Sequence, residues 1–356
     1  MSARRRGDST RSVHAGLPPA ENGTPYLPGP TFASAYHLAG DDVHAVPGYL
    51  REGNPTWAAY EAALAELEGG EVVLFASGMA ACSALLLALE PGQILVVPDD
   101  CYFGVRVVAR DHLVARGVVV RSVPTDLDAV VAACADAAMV WIETPSNPKL
   151  DVLDVAAVRA AIGPDATLVV DNTLATPLVQ RPLELGADVS VASASKHLTG
   201  HSDLLLGYCA VSDPERAAAL RAWRGLTGAI PGPFEAWLAH RSLATFGVRV
   251  ERGTANARAV ADLLGTRDDV RGVRYPGFGT VVGFELADAA AVARFFGASS
   301  LVTEATSFGG VHTNAERRGR WGSDDVAEGF VRFSAGIEDT EDLLADLIAA
   351  LDAASA

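Results

Sequence analysis

The chain has 356 residues and a formal net charge of −16, and 49% of its residues are hydrophobic against 20% charged. So acidic a chain lacks the clustered cations that bind nucleic-acid backbones, while its length allows two domains of ordinary size. No apolar run is long enough to cross a bilayer and no signal-peptide core follows Arg6, so we predict a soluble cytoplasmic protein that binds neither nucleic acid nor membrane.

The first segment, residues 1–45, is rich in proline and glycine and shows no sustained helix or strand periodicity. Such a composition favours turns and extended backbone over regular elements. We therefore predict an extended N-terminal arm.

From residue 56 the sequence alternates between helix-like and β-rich stretches. The helix-like stretches lie at about 56–68, 78–89, 104–116, 126–134 and 154–162, and the β-rich runs lie at 94–97, 118–120, 139–142, 168–170 and 189–191. Strands that are apolar on both faces and alternate with helices are typical of a mainly parallel sheet covered by helices. This part of the chain is therefore predicted to have an α/β fold.

Polar residues directly follow four of these predicted strands. They are Asp99 and Asp100, residues 143–148, residues 171–173 and residues 193–203. Each group alone is more typical of a turn or a helix cap. Because ligands bind at the carboxyl ends of parallel strands, the four groups together indicate a site on one edge of the sheet.

Beyond residue 233 the pattern predicts a smaller α+β domain. A long helical pattern covers about 234–265, followed by a strand at 281–286, a helix near 288–297, a strand at 330–334 and a closing helix at about 340–353. We therefore divide the chain into an arm (1–45), a large domain (46–233) and a small C-terminal domain (234–356).

Lysine is almost absent from the chain, since only Lys149 and Lys196 occur among its 28 Lys and Arg residues. Lys196 lies within the polar stretch 193–203. An arginine side chain is effectively never deprotonated, whereas a lysine amine can lose its proton and condense with a carbonyl. Lys196 is therefore a candidate for covalent catalysis, and a solvent-facing lysine retained by chance is the alternative.

An acid and a helix N-terminus accompany this lysine. Asp171 ends a neighbouring strand, where a carboxylate can hold a pyridine nitrogen protonated. Ser77, Gly78 and Met79 precede an apolar helix, whose first N–H groups would face an anion. A lysine, an acid and an anion site are the groups that pyridoxal 5′-phosphate (PLP) requires.

Neither the cysteines nor the histidines indicate a metal site. The four cysteines have no close paired spacing, so we expect buried, reduced thiols. His197 and His201 are four residues apart but lack the glutamate and the third ligand of a zinc site. We therefore predict no bound metal.

Nine short motifs, in order along the chain, resemble those of the Cys/Met-metabolism enzymes of PLP fold type I. This family includes cystathionine γ-lyase, cystathionine γ-synthase, cystathionine β-lyase and methionine γ-lyase. Each motif is weak alone, but nine in the family's order over most of the chain are specific. The motifs lie at residues 10–16, 49–56, 77–79, 100–102, 143–148, 171–173, 193–203, 275–277 and 332–339.

The resemblance implies a PLP-dependent transferase fold of type I, with a mostly parallel seven-stranded sheet in the large domain and a smaller α+β C-terminal domain. It implies that Lys196 forms a Schiff base with PLP and then moves protons between substrate carbons. Asp171 would pair with the ring nitrogen, Asn147 would lie beside the phenolic oxygen, and Tyr102 would stack on the ring and assist the leaving group. The residues that match the phosphate-binding set are Ser77, Gly78, Met79, Ser193 and Ser195.

Further residues are assigned by the same resemblance. Tyr49 and Arg51 match a pair that reaches the cofactor phosphate of a neighbouring subunit, and Tyr49 joins Lys196 and Tyr102 as a catalytic residue. The resemblance thus implies a homo-oligomer, a dimer of dimers, whose active sites are shared between subunits and whose N-terminal arm (1–45) contacts a neighbouring subunit. The residues implied to bind the substrate are Arg332, which grips its α-carboxylate, with Ser307 and Asn147 beside it.

Two departures from the family pattern leave the reaction open. Gly104 stands where methionine γ-lyases typically carry cysteine, which counts against that activity. Phe308 stands where most γ-eliminating members carry leucine, and an aromatic residue there is similar to some bacterial β-lyases.

The activity that the resemblance implies is a PLP-dependent C–S lyase that cleaves L-cystathionine by γ-elimination to cysteine, 2-oxobutanoate and ammonia. The alternatives on the same scaffold are γ-replacement on an O-acyl-homoserine, as in cystathionine γ-synthase, and β-elimination of cystathionine. A non-catalytic scaffold of the same fold is a remote alternative. The substrate would be L-cystathionine or a related thioether.

Overall fold

The computed structural model describes residues 6–38, 40 and 47–356 of the chain. The helices are α1 (Asp8–His14), α2 (Pro55–Glu68), α3 (Gly78–Leu86), α4 (Phe103–Val107), α5 (Leu127–Ala133), α6 (Val155–Ala161), α7 (Thr176–Val179), α8 (Pro214–Thr227), α9 (Pro233–Leu243), α10 (Phe246–Gly265), α11 (Ala289–Ala298) and α12 (Thr340–Ser355). The strands are β1 (Glu71–Phe75), β2 (Ile94–Pro98), β3 (Val119–Val123), β4 (Met139–Glu143), β5 (Thr167–Asp171), β6 (Val189–Ser193), β7 (Gly207–Val211), β8 (Arg271–Arg274), β9 (Val281–Glu285), β10 (Thr303–Glu304), β11 (Asn314–Arg317) and β12 (Phe330–Ser334).

The larger sheet has seven strands in the order β1-β7-β6-β5-β4-β2-β3. Strands β2 to β6 pair in parallel, while β7 runs antiparallel to both β6 and β1. The predicted α/β fold with a mostly parallel sheet is therefore confirmed. The sequence pattern located β2 to β6 but not β1 and β7, which complete the far edge.

Both faces of this sheet are buried, as the apolar runs predicted. Along β4, Trp141 packs into one hydrophobic cluster while Val140 and Ile142 pack into another. Because successive side chains of a strand point to opposite faces, a strand that is apolar throughout serves two cores at once. The helices that follow the strands supply the other half of each core.

The smaller sheet has five strands in the order β10-β11-β12-β9-β8. All its pairs are antiparallel except β10 with β11. The sequence pattern predicted β9 and β12 but not the short β8, β10 and β11. The two sheets fall on either side of residue 233, and we keep the domain boundaries 46–233 and 234–356 as a proposal.

The helical pattern predicted at 234–265 is interrupted, and the chain forms α9 and α10 instead of one helix. The break falls at Ala244 and Thr245. The buried Arg249 guanidinium donates to the carbonyl of Ser242, which also accepts the Thr245 N–H, and to the carbonyl of His197. One buried arginine thus satisfies the broken helix end and holds the segment that follows Lys196.

The N-terminal arm, predicted at 1–45, lies partly outside the described residues, which omit 1–5, 39 and 41–46. Within the described part of the arm, the predicted extended backbone is wrong for Asp8–His14, which form α1. Arg11 of α1 donates to the carbonyl of Glu66 in α2, and His240 of α9 contacts the carbonyl of Ala15. These long-range contacts stabilise a short helix that composition alone does not predict.

Among the residues that the structure describes, no helix is both long enough and apolar enough to span a bilayer.

Candidate active site

A cavity of about 690 Å³ opens at the carboxyl ends of β4, β5 and β6. The smaller sheet closes it from the opposite side through Ser307 and Arg332. This is the edge at which the sequence predicted a site. The predicted site residues that line the cavity are Ser77, Gly78, Met79, Tyr102, Asn147, Asp171, Ser193, Ser195, Lys196, Ser307 and Arg332.

The Lys196 side chain points into this cavity and donates to the Ser307 hydroxyl, with Nζ 2.6 Å from Oγ. Burial, with a further contribution from Arg332, lowers the pKa of Lys196 to about 8. A larger fraction of this amine is therefore neutral near physiological pH than for an exposed lysine. The neutral amine is the form that attacks a carbonyl carbon.

Ser307 reaches the lysine because its backbone adopts a left-handed conformation, with φ of 92°. Such a φ is unfavourable for a residue with a side chain and is often found at functional sites. The next residue, Phe308, is buried beside two cations. Its ring centroid lies 5.2 Å from Lys196 Nζ and 5.2 Å from the Arg332 guanidinium carbon. The aromatic ring therefore contacts both positive charges of the cavity wall.

Asp171 lies at the floor of the cavity with its two carboxylate oxygens in different environments. Oδ1 accepts from the Thr173 backbone N–H at 3.0 Å and from the Thr173 hydroxyl at 2.6 Å. Oδ2 receives no hydrogen bond from the described residues. Burial raises the pKa of Asp171. One oxygen is thus held in place while the other remains available to a group in the cavity.

Thr173 was not singled out from the sequence, although it fixes both Asp171 and the next strand. Its hydroxyl oxygen accepts the Ser193 N–H at 2.9 Å, which ties the end of β6 to the end of β5. The signal that could have revealed it is its position two residues after the acid at a strand end, where a hydroxyl commonly caps a carboxylate.

The N-terminus of α3 forms one end of the cavity. The Ser77 hydroxyl caps the helix by accepting the Ala80 N–H, and the N–H groups of Gly78 and Met79 have no acceptor in the described part of the chain. A Cβ atom on Gly78 would lie only 2.9 Å from the Ser193 Cβ. Free N–H groups at a helix N-terminus beside a glycine are suited to a phosphate.

Ser195 lines the same end, but its hydroxyl is already engaged. It accepts the Leu206 N–H at 2.9 Å and donates to the Leu206 carbonyl at 3.2 Å. Ser193 makes no comparable side-chain hydrogen bond in the described residues. Of the two predicted serines, Ser193 is therefore the freer donor for an anion.

Arg332 and Asn147 form a buried pair on the opposite wall. Arg332 Nη1 donates to Asn147 Oδ1 at 2.8 Å, and Nη2 donates to Glu316 at 2.8 Å. Burial, followed by the neighbouring Arg318, lowers the pKa of Arg332 to about 10, so the guanidinium stays charged at neutral pH. Such a group binds a carboxylate well. Glu316 and Arg318 were not recognised in the sequence because they lie outside its motifs.

Tyr102 lies near Asp171, and its backbone is held by Glu143, a residue with no role predicted from the sequence. The Tyr102 N–H donates to the Glu143 carboxylate at 2.5 Å, and Glu143 pairs in register with Asp171. Burial and the Asp171 carboxylate raise the pKa of Glu143 well above its ordinary value. Glu143 therefore fixes the backbone of Tyr102 from beneath the cavity.

Tyr49 and Arg51 lie away from the cavity of their own chain. The Arg51 guanidinium carbon lies 5.3 Å from the Tyr49 ring centroid, and Arg51 Nη1 donates to the Gly225 carbonyl at 2.9 Å. The Tyr49 residue is 44% exposed. The two side chains are thus adjacent and accessible, and the described chain does not bring them to Lys196.

The profile of the Cys/Met metabolism PLP-dependent enzymes matches residues 9–352. The chain belongs to this family. It is 52% identical to a putative cystathionine gamma-lyase of Streptomyces coelicolor, over 99% of this chain and 95% of that protein. It is 39% identical to a cystathionine gamma-synthase of Mycobacterium bovis, over 97% of each chain. A crystal structure of metB from Corynebacterium glutamicum superimposes with a TM-score of 0.94 at 34% identity, over 99% of each chain.

Membership of the family makes this chain a PLP-dependent carbon–sulfur lyase or synthase that acts on small amino-acid substrates. The residues present fit the cofactor. Lys196 supplies a buried amine, Asp171 an available carboxylate oxygen, and the N-terminus of α3 free N–H groups at one end of the cavity. The relatives include both a lyase and a synthase, so the choice of reaction needs separate argument.

Proposed function

We propose that this enzyme cleaves L-cystathionine by γ-elimination to cysteine, 2-oxobutanoate and ammonia. The observation that carries the proposal is the placement of Lys196. Its amine, with a pKa of about 8, lies in the same cavity as a buried acid and a carboxylate-binding arginine. The 52% identity to a putative cystathionine gamma-lyase favours this member of the family.

PLP, when bound, supplies an electron sink that stabilises negative charge on the substrate carbons. Asp171 would keep the ring nitrogen protonated through Oδ2, while Thr173 holds Oδ1. The free N–H groups of Gly78 and Met79, with the Ser193 hydroxyl, would bind the phosphate. The N-terminus of α3 would thus anchor the PLP phosphate, and Asp171 would keep the positive charge on the ring nitrogen.

Lys196 would move the protons of the reaction. Elimination at Cγ requires loss of one proton from Cα and another from Cβ. A mobile amine with a pKa near 8 can take up both only if it releases the first, to the electron sink that the bound cofactor would supply, before it accepts the second, which it would pass to the leaving thiolate. Ser307 lies within hydrogen-bond distance of Lys196 Nζ and can hold the amine between transfers. Arg332 and Asn147 would hold the substrate carboxylate so that both carbons stay within reach.

We also propose that Tyr49 and Arg51 complete the active site of a neighbouring subunit. The position of the two residues supports this proposal, since they are adjacent and accessible yet remote from the cavity of their own chain. A cation beside a phosphate is strongly favourable. The assembly would then be a homo-oligomer built from dimers with shared sites, and Tyr49 would act in catalysis there.

Methionine γ-elimination is disfavoured by the packing around Gly104. A Cβ atom at this position would lie 2.7 Å from the Met79 sulfur and 2.8 Å from the Tyr102 ring. The cysteine that methionine γ-lyases typically carry there would have to displace both of these side chains. β-Elimination of cystathionine stays as the second candidate, because Phe308 stands where most γ-eliminating members carry leucine and its buried ring contacts both Lys196 and Arg332.

Identification of the keto acid formed from L-cystathionine tests the proposal. We expect 2-oxobutanoate and cysteine from the PLP-loaded enzyme, whereas pyruvate and homocysteine would assign β-elimination. Cystathionine formed from O-succinylhomoserine and cysteine, without keto acid from cystathionine, would assign the synthase reaction.

The chain offers a matched control in its other lysine. The Lys196→Ala variant should lose both the visible absorbance of bound cofactor and all keto-acid formation, while Lys149→Ala keeps both. Full activity of Lys196→Ala would refute the proposed role of this amine.

A further inference from the structure

A single buried carboxylate contacts four residues of the cavity wall. Glu316, on β11, is only 3% exposed. Its oxygens accept from Arg332 Nη2 at 2.8 Å and Arg318 Nη1 at 3.0 Å. They also accept from Trp321 Nε1 at 2.7 Å and from the Thr306 hydroxyl at 3.3 Å. All four donors line the cavity.

Glu316 belongs to a chain of alternating charges. Behind it, Asp324 accepts from Arg318 Nη2 at 2.5 Å and from Arg106 Nη2 at 2.6 Å. Three guanidinium groups therefore face two carboxylates, and one positive charge is left over. This surplus charge is the electrostatic basis for binding one carboxylate in the cavity.

We propose that Glu316 sets the strength with which Arg332 binds an amino-acid carboxylate, by acting as an internal carboxylate that shares its guanidinium. The proposal rests on the role proposed for Arg332 in substrate binding. A bound substrate carboxylate and Glu316 would contact the same cation and repel each other. Glu316 is thus a specificity-determining residue that keeps carboxylate binding reversible.

We expect Glu316 to act by repelling the substrate carboxylate rather than by orienting the Arg332 guanidinium. The Arg332 guanidinium is also held by Asn147 Oδ1 and by the Ser307 carbonyl, so its direction does not depend on Glu316 alone. Like charges around one buried cation interact strongly because little water screens them. Removal of the Glu316 charge should therefore tighten the binding of a carboxylate.

The test compares two ligands of similar size, L-alanine with its carboxylate and L-alaninamide with a neutral amide at the same position. Neither carries a sulfur leaving group, so each can be titrated against the PLP-loaded enzyme by the change in cofactor absorbance. In Glu316→Gln we expect L-alanine to bind on the order of tenfold more tightly, while L-alaninamide changes less than about twofold.

A matched control lies on the same segment. Glu328 accepts from Arg317 at 2.6 Å, but its side chain is 72% exposed and lies outside the cavity lining. Glu328→Gln should leave both titrations unchanged. Weaker or unchanged binding of L-alanine by Glu316→Gln would overturn the proposal.

Two further variants separate the possible failures. Arg332→Gln should lose the preference for L-alanine over L-alaninamide, and if it does not, the role proposed for Arg332 fails rather than that of Glu316. If Glu316→Gln does not fold, Arg318→Gln tests the sharing of Glu316 between Arg318 and Arg332 by removing the other cation. It removes a cation that competes for Glu316, so L-alanine should bind on the order of tenfold more weakly, and unchanged binding would again overturn the proposal.

Discussion

The Lys196 amine and the Ser307 hydroxyl lie 2.6 Å apart although 111 residues separate them in the chain. Lys196 follows a strand of the larger sheet, and Ser307 precedes β11 of the smaller one. Neither domain alone therefore contains the proposed catalytic centre. The contact places the proposed proton carrier against a residue whose own backbone is strained.

Two substitutions of Ser307 distinguish the contribution of its hydroxyl to activity from the cost of its backbone strain to stability. Ser307→Ala and Ser307→Gly both remove the hydrogen bond to Lys196, so we expect both to lower kcat/KM for cystathionine by roughly tenfold. Only glycine adopts the positive φ without cost, so Ser307→Gly should be more stable than Ser307→Ala by about 1 kcal/mol. Thermal or urea unfolding of the two variants measures the difference. Equal stabilities would show that this backbone is not strained.

The low pKa of Lys196 predicts how cofactor capture depends on pH. Burial, aided by Arg332, disfavours the charged amine and places its pKa at about 8. The neutral fraction should therefore rise about tenfold per pH unit below pH 8 and level off above it. The measurement is the rate at which cofactor-free protein gains visible absorbance after PLP is added. A rate that still climbs between pH 9 and pH 10 would indicate an ordinary lysine.

Gly78 should be essential for cofactor affinity because it brings the backbone close to the phosphate. A Cβ atom there would lie 2.9 Å from the Ser193 Cβ, so Gly78→Ala should weaken PLP binding by on the order of tenfold or more. Gly297, inside α11, has no atom within 4 Å of an added Cβ and provides the control. Gly297→Ala should leave PLP affinity unchanged and stabilise the helix by up to about 1 kcal/mol. Equal PLP affinity in both variants would contradict the assigned phosphate site.

Shared active sites predict complementation between two inactive variants. Arg51→Ala should lose cofactor affinity, and Lys196→Ala should lose catalysis. When the two chains are co-expressed, half of the dimers are mixed and each mixed dimer has one intact site, so activity should recover to about a quarter of the wild-type value. Purified mixtures are compared with each variant alone. Failure to recover any activity in verified mixed dimers would place Arg51 outside the neighbouring site.

Local sequence pattern was sufficient for the central strands and for the edge that carries the site. Strands β2, β4, β5 and β6 are recognisable because each is buried on both faces, and the polar groups that end them stand out against that background. Strand β3 is recognisable by its valines although it is a more exposed edge strand. Asp171 and Lys196 follow from the same pattern, since a buried acid and a rare amine occur where parallel strands terminate. These features depend on neighbouring residues in the chain.

The break between α9 and α10 shows why other features escaped prediction. The sequence around Thr245 contains no proline and is compatible with a continuous helix. Arg249 stabilises the break, because it donates to both the Ser242 carbonyl at the end of α9 and the distant His197 carbonyl. Contacts between distant segments of this kind leave no periodic signal.

The sequence alone determined the fold class and the cofactor chemistry, because these depend on residue type and on position relative to strand ends, and its resemblance to the family predicted about half of the cavity lining. Tertiary structure decided which groups hold those residues: Thr173 on Asp171, Glu143 on Tyr102, and Glu316 on Arg332. A buried charge is stable only beside a partner, and the partner is chosen by packing in three dimensions rather than by spacing along the chain.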